Sequence, residues 1–250
     1  MAQKSTRTGF YTNKYFKDSI INQDLSTKRT KRTLKTLKKS FDIKSPVCDL
    51  GSGFGLFLKA CEEMGIEAVG IEGCLASVKW ANKFTKNKTI RHDLAQDLPF
   101  KDEKFNLVYS SSVIEHLKSK VAKQVIRESF RILKTGGLFV CSCPNYFDFS
   151  ERFPEHINLY TPTRLRKILK KEGFIVRKEY LNFNISLLTP WEKHKGETGR
   201  LRLFIKKHSS LVNIALAPIW LPVRLVNTYL LNWEFLDIFS GGCFFVAEKK

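Results

Sequence analysis

The sequence predicts an open α/β sheet flanked by helices, and three observations carry that prediction. A short apolar run, Pro46-Val47-Cys48-Asp49-Leu50, ends in a loop with glycine at 51, 53 and 55 and passes into the helical spacing of Leu56, Phe57, Ala60 and Cys61. Strand-like and helix-like segments then alternate over about 100 residues, the pattern of a parallel sheet with helices on both faces. The length of 250 residues, with 43% hydrophobic side chains, allows one sizeable core but not two full domains, so one domain with additions is expected.

Residues 1–45 precede this core and are read as an N-terminal helical arm. An aromatic piece, Phe10 to Phe16, is followed by a basic piece, Lys28 to Lys39, in which Leu34, Leu37 and Phe41 recur at helical spacing between lysines. That spacing predicts a helix packed by one narrow stripe, with cationic faces that are either simply solvated or a contact for a polyanion. The core domain, 46–250, then offers a second strand over Glu67 to Glu72 and a helix over Leu75 to Phe84 that buries Val78 and Ala81. A short third strand, Thr89 to His92, is closed by Asp93, and a fourth covers Phe105 to Ser110. A helix around Lys120 to Leu133 leads to a turn at Thr135-Gly136-Gly137 and a fifth strand, Leu138 to Cys143. A further helix, Thr163 to Glu172, is capped by Thr161 or Thr163 and stopped by Gly173; a sixth strand, Phe174 to Tyr180, and a seventh, Cys243 to Glu248, complete the set.

Between the last two strands, residues 182–242 are read as a helical insertion. It opens polar and basic, then turns apolar from Leu211 to Leu231, a run of about 21 residues that would just cross a bilayer. Pro218, Pro222 and Arg224 interrupt it and argue against a simple span, because backbone groups freed in lipid have no water to bond. A substrate lid, a homodimer surface and an interfacial element remain. Arg200, Arg202, Lys206, Lys207 and His208 immediately before the run fit docking on anionic headgroups.

Charge points the same way without deciding it. Lysine and arginine number 43 against 24 acidic residues, leaving a net charge of +19, which favours encounter with nucleic acid or an anionic membrane surface, unless the faces are merely well solvated. The six cysteines lie mostly in apolar segments and lack the paired spacing of a zinc site, so they read as reduced, buried thiols. The polar, basic start of the chain has no apolar stretch of a secretory signal, and a cytoplasmic location, peripheral to a membrane if the insertion docks there, is expected.

The residues suited to chemistry follow successive strands, where an open parallel sheet presents ligands. In the loop Gly-x-Gly-x-Gly the third glycine comes one residue earlier than in a dinucleotide fingerprint, and Asp49 stands two residues before the first, which suits an ammonium better than a pyrophosphate. Glu72 ends the second strand, Asp93 and Leu94 follow the third, and Ser110 and Ser111 the fourth. Each acid singly could be a loop cap; in register they read as a site. His116 and His156 follow the fourth and fifth strands, and either imidazole could accept a proton near neutral pH or merely organise its loop.

The Asp-x-Gly-x-Gly pattern resembles motif I of the class I S-adenosylmethionine-dependent methyltransferases. With Phe105-Asn106-Leu107-Val108, Ser111 to Leu117, Arg131 to Gly137 and His156 to Pro162, the chain is similar to the branch holding ubiquinone-type and many small-molecule O-methyltransferases. The likeness covers about residues 46–181 and the last strand, and leaves out the first 45 residues and the insertion. It implies a Rossmann-like, seven-stranded sheet, mostly parallel with an antiparallel last strand, and S-adenosyl-L-methionine as cofactor. Asp49, Gly51 and Gly53 would lie near its methionine part, Glu72 on the ribose hydroxyls, Asp93 and Leu94 at the adenine, and Ser110 and Ser111 beside it; Tyr11 and Tyr15 would form a lid. Some members hold a divalent metal near the Glu-His pair, but no metal is expected here.

The acceptor expected is a small or lipid- or saccharide-linked molecule methylated on oxygen. A nucleic-acid methyltransferase is less favoured: no Asn- or Asp-Pro-Pro-Tyr segment follows the fourth strand, Cys143-Pro144-Asn145-Tyr146 comes a strand too late, and Cys141 and Cys143 precede the proline as core thiols. An oxidoreductase would want the third glycine at its proper spacing, and a non-catalytic scaffold would not need acids at every cofactor position.

Overall fold

The computed structural model describes residues 23–148, 154–179, 222 and 242–250. Its elements, in chain order, are α1 (Gln23–Ser40), β1 (Val47–Leu50), α2 (Leu56–Glu63), β2 (Ala68–Glu72), α3 (Leu75–Phe84), β3 (Thr89–Arg91), β4 (Phe105–Ser111), a 3₁₀ turn (Ile114–His116), α4 (Ser119–Ile132), β5 (Leu133–Cys143), α5 (Pro162–Lys171), β6 (Phe174–Glu179) and β7 (Cys243–Lys249). The strands form one seven-stranded sheet in the order β3-β2-β1-β4-β5-β7-β6. β1 to β5 pair in parallel, and β7 enters between β5 and β6 antiparallel to both, as expected for the last strand. Strand order reverses between β1 and β4, and such a switch point opens a crevice beyond the strands' carboxyl ends.

Strand alternation sorts the core into two layers. Cys48 and Leu50 of β1, Val108 of β4, Phe139 and Cys141 of β5 and Phe245 of β7 face one side, where they meet Val125, Ile126 and Ile132 of α4 and Leu165 and Leu169 of α5. Val47, Leu107, Val140 and Val246 face the other, against Phe57, Leu58 and Cys61 of α2 and Leu34 and Leu37 of α1. The narrow stripe read in the basic piece is therefore core: Leu34 and Leu37 are fully buried, and Lys31 of the same helix pairs with Glu63 at the end of α2.

One local expectation differs. Thr135-Gly136-Gly137 is not a turn ahead of β5 but lies inside it. Pairing with β4 jumps from Phe105↔Leu133 to Leu107↔Leu138, so the glycines form a bulge, with Gly136 at a φ of 75°. A strand can absorb extra residues in this way without ending, which sequence punctuation does not distinguish from a turn. His116, after β4, closes the 3₁₀ turn, and α4 starts at Ser119. The helix before β6 is capped by Thr161, whose hydroxyl accepts from the Arg164 N–H at 3.1 Å, and not by Thr163. Tyr11 and Tyr15 of the expected lid and nearly all of the 182–242 insertion, including the run Leu211 to Leu231, lie outside the described residues.

Candidate functional site

The glycine loop is built from within. The N–H groups of Gly51 and Ser52 donate to the carbonyl of Ile71 at the end of β2, at 2.8 and 3.0 Å, and the N–H of Gly55 donates to Ser52 O at 2.9 Å. Gly53 N–H donates to Glu72 Oε2 at 3.0 Å. These amides are spent on the protein itself, so the loop is not a nest of free donors for a pyrophosphate. Glycine is required at 51, where φ is 70° and a Cβ would fall 2.5 Å from Cγ2 of Val113. At Gly53 a Cβ would meet nothing within 4 Å, so the loop's outer side is open to a ligand.

What faces that opening is negative. Asp49 and Glu72, on neighbouring strands, are 4% and 7% exposed. Burial pushes the Asp49 carboxyl well above its ordinary pKa, and the Glu72 charge adds to the rise. Burial also raises Glu72, while the N–H groups of Cys74, Gly53 and Gly73 offset part of the shift. Glu72 Oε1 accepts from Cys74 N–H at 2.7 Å and Oε2 from Gly53 N–H at 3.0 Å, so backbone donors fix the carboxyl group in place. No described residue donates to the Asp49 side chain or supplies a cation to the pair. Two buried carboxylates so placed call for a ligand with positive charge and hydroxyl donors, and S-adenosylmethionine carries an ammonium, a sulfonium and a ribose diol. The residues fit that group: Asp49 on the cationic part, Glu72 on the hydroxyls.

The other expected cofactor residues have local surroundings of their own. Asp93 Oδ1 accepts from Ala95 N–H at 2.9 Å and shapes the loop after β3, while Leu94 packs on the core at the same corner. Ser111 and Ser110 separate by alternation. Ser111 Oγ accepts from Ser142 Oγ at 2.8 Å across β4 and β5, whereas the Ser110 hydroxyl is buried without a hydrogen-bond partner among the described residues.

His116 and His156, 40 residues apart in sequence, do come together: their ring centroids are 4.9 Å apart at 64°. His116 Nδ1 lies 3.1 Å from the carbonyl oxygen of Glu155, which can only accept, so the neutral ring carries its proton on Nδ1 and leaves Nε2 as the basic nitrogen. Partial desolvation, and then the neighbouring His156, lower the pKa of His116 despite the opposing Glu155 carbonyl. A second bond, Asn158 N–H to Glu115 O at 3.0 Å, fastens the same two loops. Val113, packed on Gly51, leads directly into this turn, so the histidines stand beside the glycine loop. His156 also lines a cleft of about 530 Å³ together with Tyr146, Pro154, Ile157, Asn158, Leu159 and Arg164.

The turn also brings in Glu115, the acidic member of the Glu-His pair. Glu115, His116 and His156 each offer one ligand atom, and these atoms all lie within 4.8 Å of one another. Two imidazoles and a carboxylate are donors a divalent cation accepts. The Glu-His dipeptide was a visible signal; the third member, 40 residues on, was not.

Comparison with known proteins agrees with this geometry. Residues 48–141 match the model of a methyltransferase domain family, a span running from β1 into β5. A probable S-adenosylmethionine-dependent methyltransferase of Mycolicibacterium smegmatis is 30% identical over 131 residues, 50% of this chain and 49% of that one. A ubiquinone biosynthesis O-methyltransferase of Roseobacter denitrificans is 28% identical over 103 residues, 40% of this chain and 41% of its own. The chain thus spans about half the length, or less, of these curated relatives. The crystal structure of a SAM-dependent methyltransferase from Archaeoglobus fulgidus superposes with a TM-score of 0.63 at 19% identity, covering 96% of this chain and all of that one, which shows a shared fold. With its switch-point crevice, self-bonded glycine loop and buried acid pair, the domain matched at residues 48–141 is a class I S-adenosylmethionine-dependent methyltransferase domain, and S-adenosyl-L-methionine is the cofactor that this family and fold imply for it.

Proposed function

We propose that the protein methylates a hydroxyl oxygen of a small or lipid- or saccharide-linked acceptor, with the His116–His156 pair receiving the proton. The observation that supports this reading is the pairing of the rings where His156 lines a cleft large enough for a small molecule, on a turn that begins at Val113 against Gly51. S-adenosylmethionine supplies an electrophilic methyl group on sulfur. Asp49 and Glu72 fix the cofactor's orientation, the cleft holds the acceptor, and His116 Nε2 or the His156 ring takes the proton as oxygen becomes nucleophilic. The resemblance to ubiquinone-type O-methyltransferases supports oxygen as the acceptor atom.

A second reading has its own observation. In the Glu115–His116–His156 cluster a bound divalent cation would lower the pKa of an acceptor hydroxyl, replacing the base. Methyl transfer by the full chain to a panel of hydroxyl and amine acceptors separates these readings. With a base, His116→Asn and His156→Asn lose about 10²-fold or more in kcat, keep S-adenosylhomocysteine affinity, and activity survives chelation. Loss on chelation, restored by magnesium or manganese, selects the cation. Methylation of amines alone, or unchanged kcat in both variants without a metal requirement, overturns both. Glu72→Ala tests the cofactor assignment: calorimetry should show a loss of about 1.5–3 kcal/mol in S-adenosylhomocysteine binding.

A further inference from the structure

The cleft beside the histidines has a chemical polarity of its own. Tyr146 and Ile157 stand 45% and 55% exposed at its wall, and Pro154 and Leu159 extend that wall, a surface suited to an apolar or aromatic body. Arg164 supplies the cleft's guanidinium. It is exposed and 5.5 Å from the centroid of the buried Tyr160 ring, and the backbone N–H of Arg164 bonds the capping Thr161 hydroxyl. Arg127, Arg131, Arg166 and Arg177 each pair with a carboxylate. Arg164 has no ion pair among the described residues, although Glu155 lies on the same loop as His156. Lys167 and Lys171 follow at i+3 and i+7 on the exposed face of α5, again without a carboxylate among the described residues. A guanidinium held over a ring at the rim of an apolar cleft, with further cations behind it, is suited to an oxyanion of more than one charge.

We infer that the acceptor is a phosphate-bearing molecule whose apolar or aromatic body lies on Tyr146 and Ile157 and whose phosphate is bound by Arg164, with Lys167 beside it. The inference rests on the proposed function in placing the methyl acceptor in this cleft, and it names a group for which that reading has no requirement. Arg164 is a binding residue here, takes no part in proton transfer, and fixes which end of the acceptor enters toward His156.

The experiment uses the full chain saturated with S-adenosylhomocysteine and titrated with phenol, benzoate and phenyl phosphate as probes, read by calorimetry at low and high salt. Phenyl phosphate should bind at least about tenfold more tightly than phenol, with benzoate between them, since a charge-assisted contact contributes about 1.5 kcal/mol or more. Arg164→Gln should remove that preference, Lys167→Gln should reduce it, and both should leave phenol and S-adenosylhomocysteine affinities and the melting temperature unchanged. Equal binding of phenol and phenyl phosphate, or a preference that survives Arg164→Gln, overturns the proposal; a benzoate affinity equal to that of phenyl phosphate replaces phosphate by carboxylate and overturns it as stated. Vesicles containing phosphatidic acid, compared with soluble phenyl phosphate, show whether the phosphate belongs to a lipid. Phosphate binding that depends on Arg164 in a protein that methylates no hydroxyl would overturn the oxygen-transfer reading and uphold this one.

Discussion

Asp49 shows at the scale of one side chain how binding and stability oppose each other. Its carboxyl is buried, next to a second carboxylate, and its folded pKa lies above the ordinary value. The sign follows directly. As pH rises past about 3.8 the unfolded chain ionises freely while the folded one resists, so the ligand-free fold loses stability that it keeps at lower pH. Asp49→Asn should therefore raise the stability of the ligand-free protein at pH 7, by about 0.5–2 kcal/mol in urea unfolding, and weaken S-adenosylhomocysteine binding. The stability difference should shrink as pH is lowered toward 4. Glu62 has the opposite sign. Thr85 Oγ1 and Lys86 N–H donate to Oε2 at 2.7 and 2.9 Å, Lys59 pairs with Oε1, and its pKa is held down at about 2. The stability it contributes is present above its ordinary value of 4.5 and is lost as pH falls through about 2. Melting curves of Glu62→Gln and the parent should differ at pH 7 and converge toward pH 2.

Among elements, α4 and the 92–104 loop depend on one arginine. Arg131 donates to both oxygens of Glu128, to the carbonyls of Leu98 and Phe100, and to Asp102, while Leu98 N–H donates back to Glu128. Glu128 pairs within α4, and the rest of the network holds the loop that leads from β3 to β4. Arg131→Ala should cost about 2–4 kcal/mol by chemical denaturation, because Glu128 and two carbonyls lose their donors, and Arg131→Lys should recover only part of it because one ammonium cannot reproduce the fork. At this scale the sequence was legible wherever burial sets the period. Leu34 and Leu37, the strand ends at Glu72 and Cys143, and α3 followed from spacing alone. The bulge at Gly136 was not legible, since two glycines punctuate a turn and a bulge alike, and neither was the 3₁₀ turn at Ile114–His116, whose three residues are too few for any period.

For the whole molecule, the sheet explains why half of the site could be read in advance and half could not. Asp49 and Glu72 sit at strand ends whose positions follow from local sequence, so their convergence was predictable from the order of the strands. The cleft depends on Tyr146, His156 and Arg164, brought together by a loop and a helix start after β5, and no periodicity relates them. The two halves are nevertheless fastened. Val113 rests on Gly51, and from the same turn Glu115 and His116 bond to Asn158 and Glu155 of the cleft loop. On the proposed reading, a cofactor that settles the glycine loop thereby settles the wall on which the acceptor lands, so the two ligands should bind with positive cooperativity. Phenyl phosphate affinity should rise about fivefold or more when S-adenosylhomocysteine is present, and by thermodynamic reciprocity the nucleoside should bind tighter by the same factor with the acceptor probe in place. Val113→Ala, which thins the contact between the halves, should lower that factor toward one.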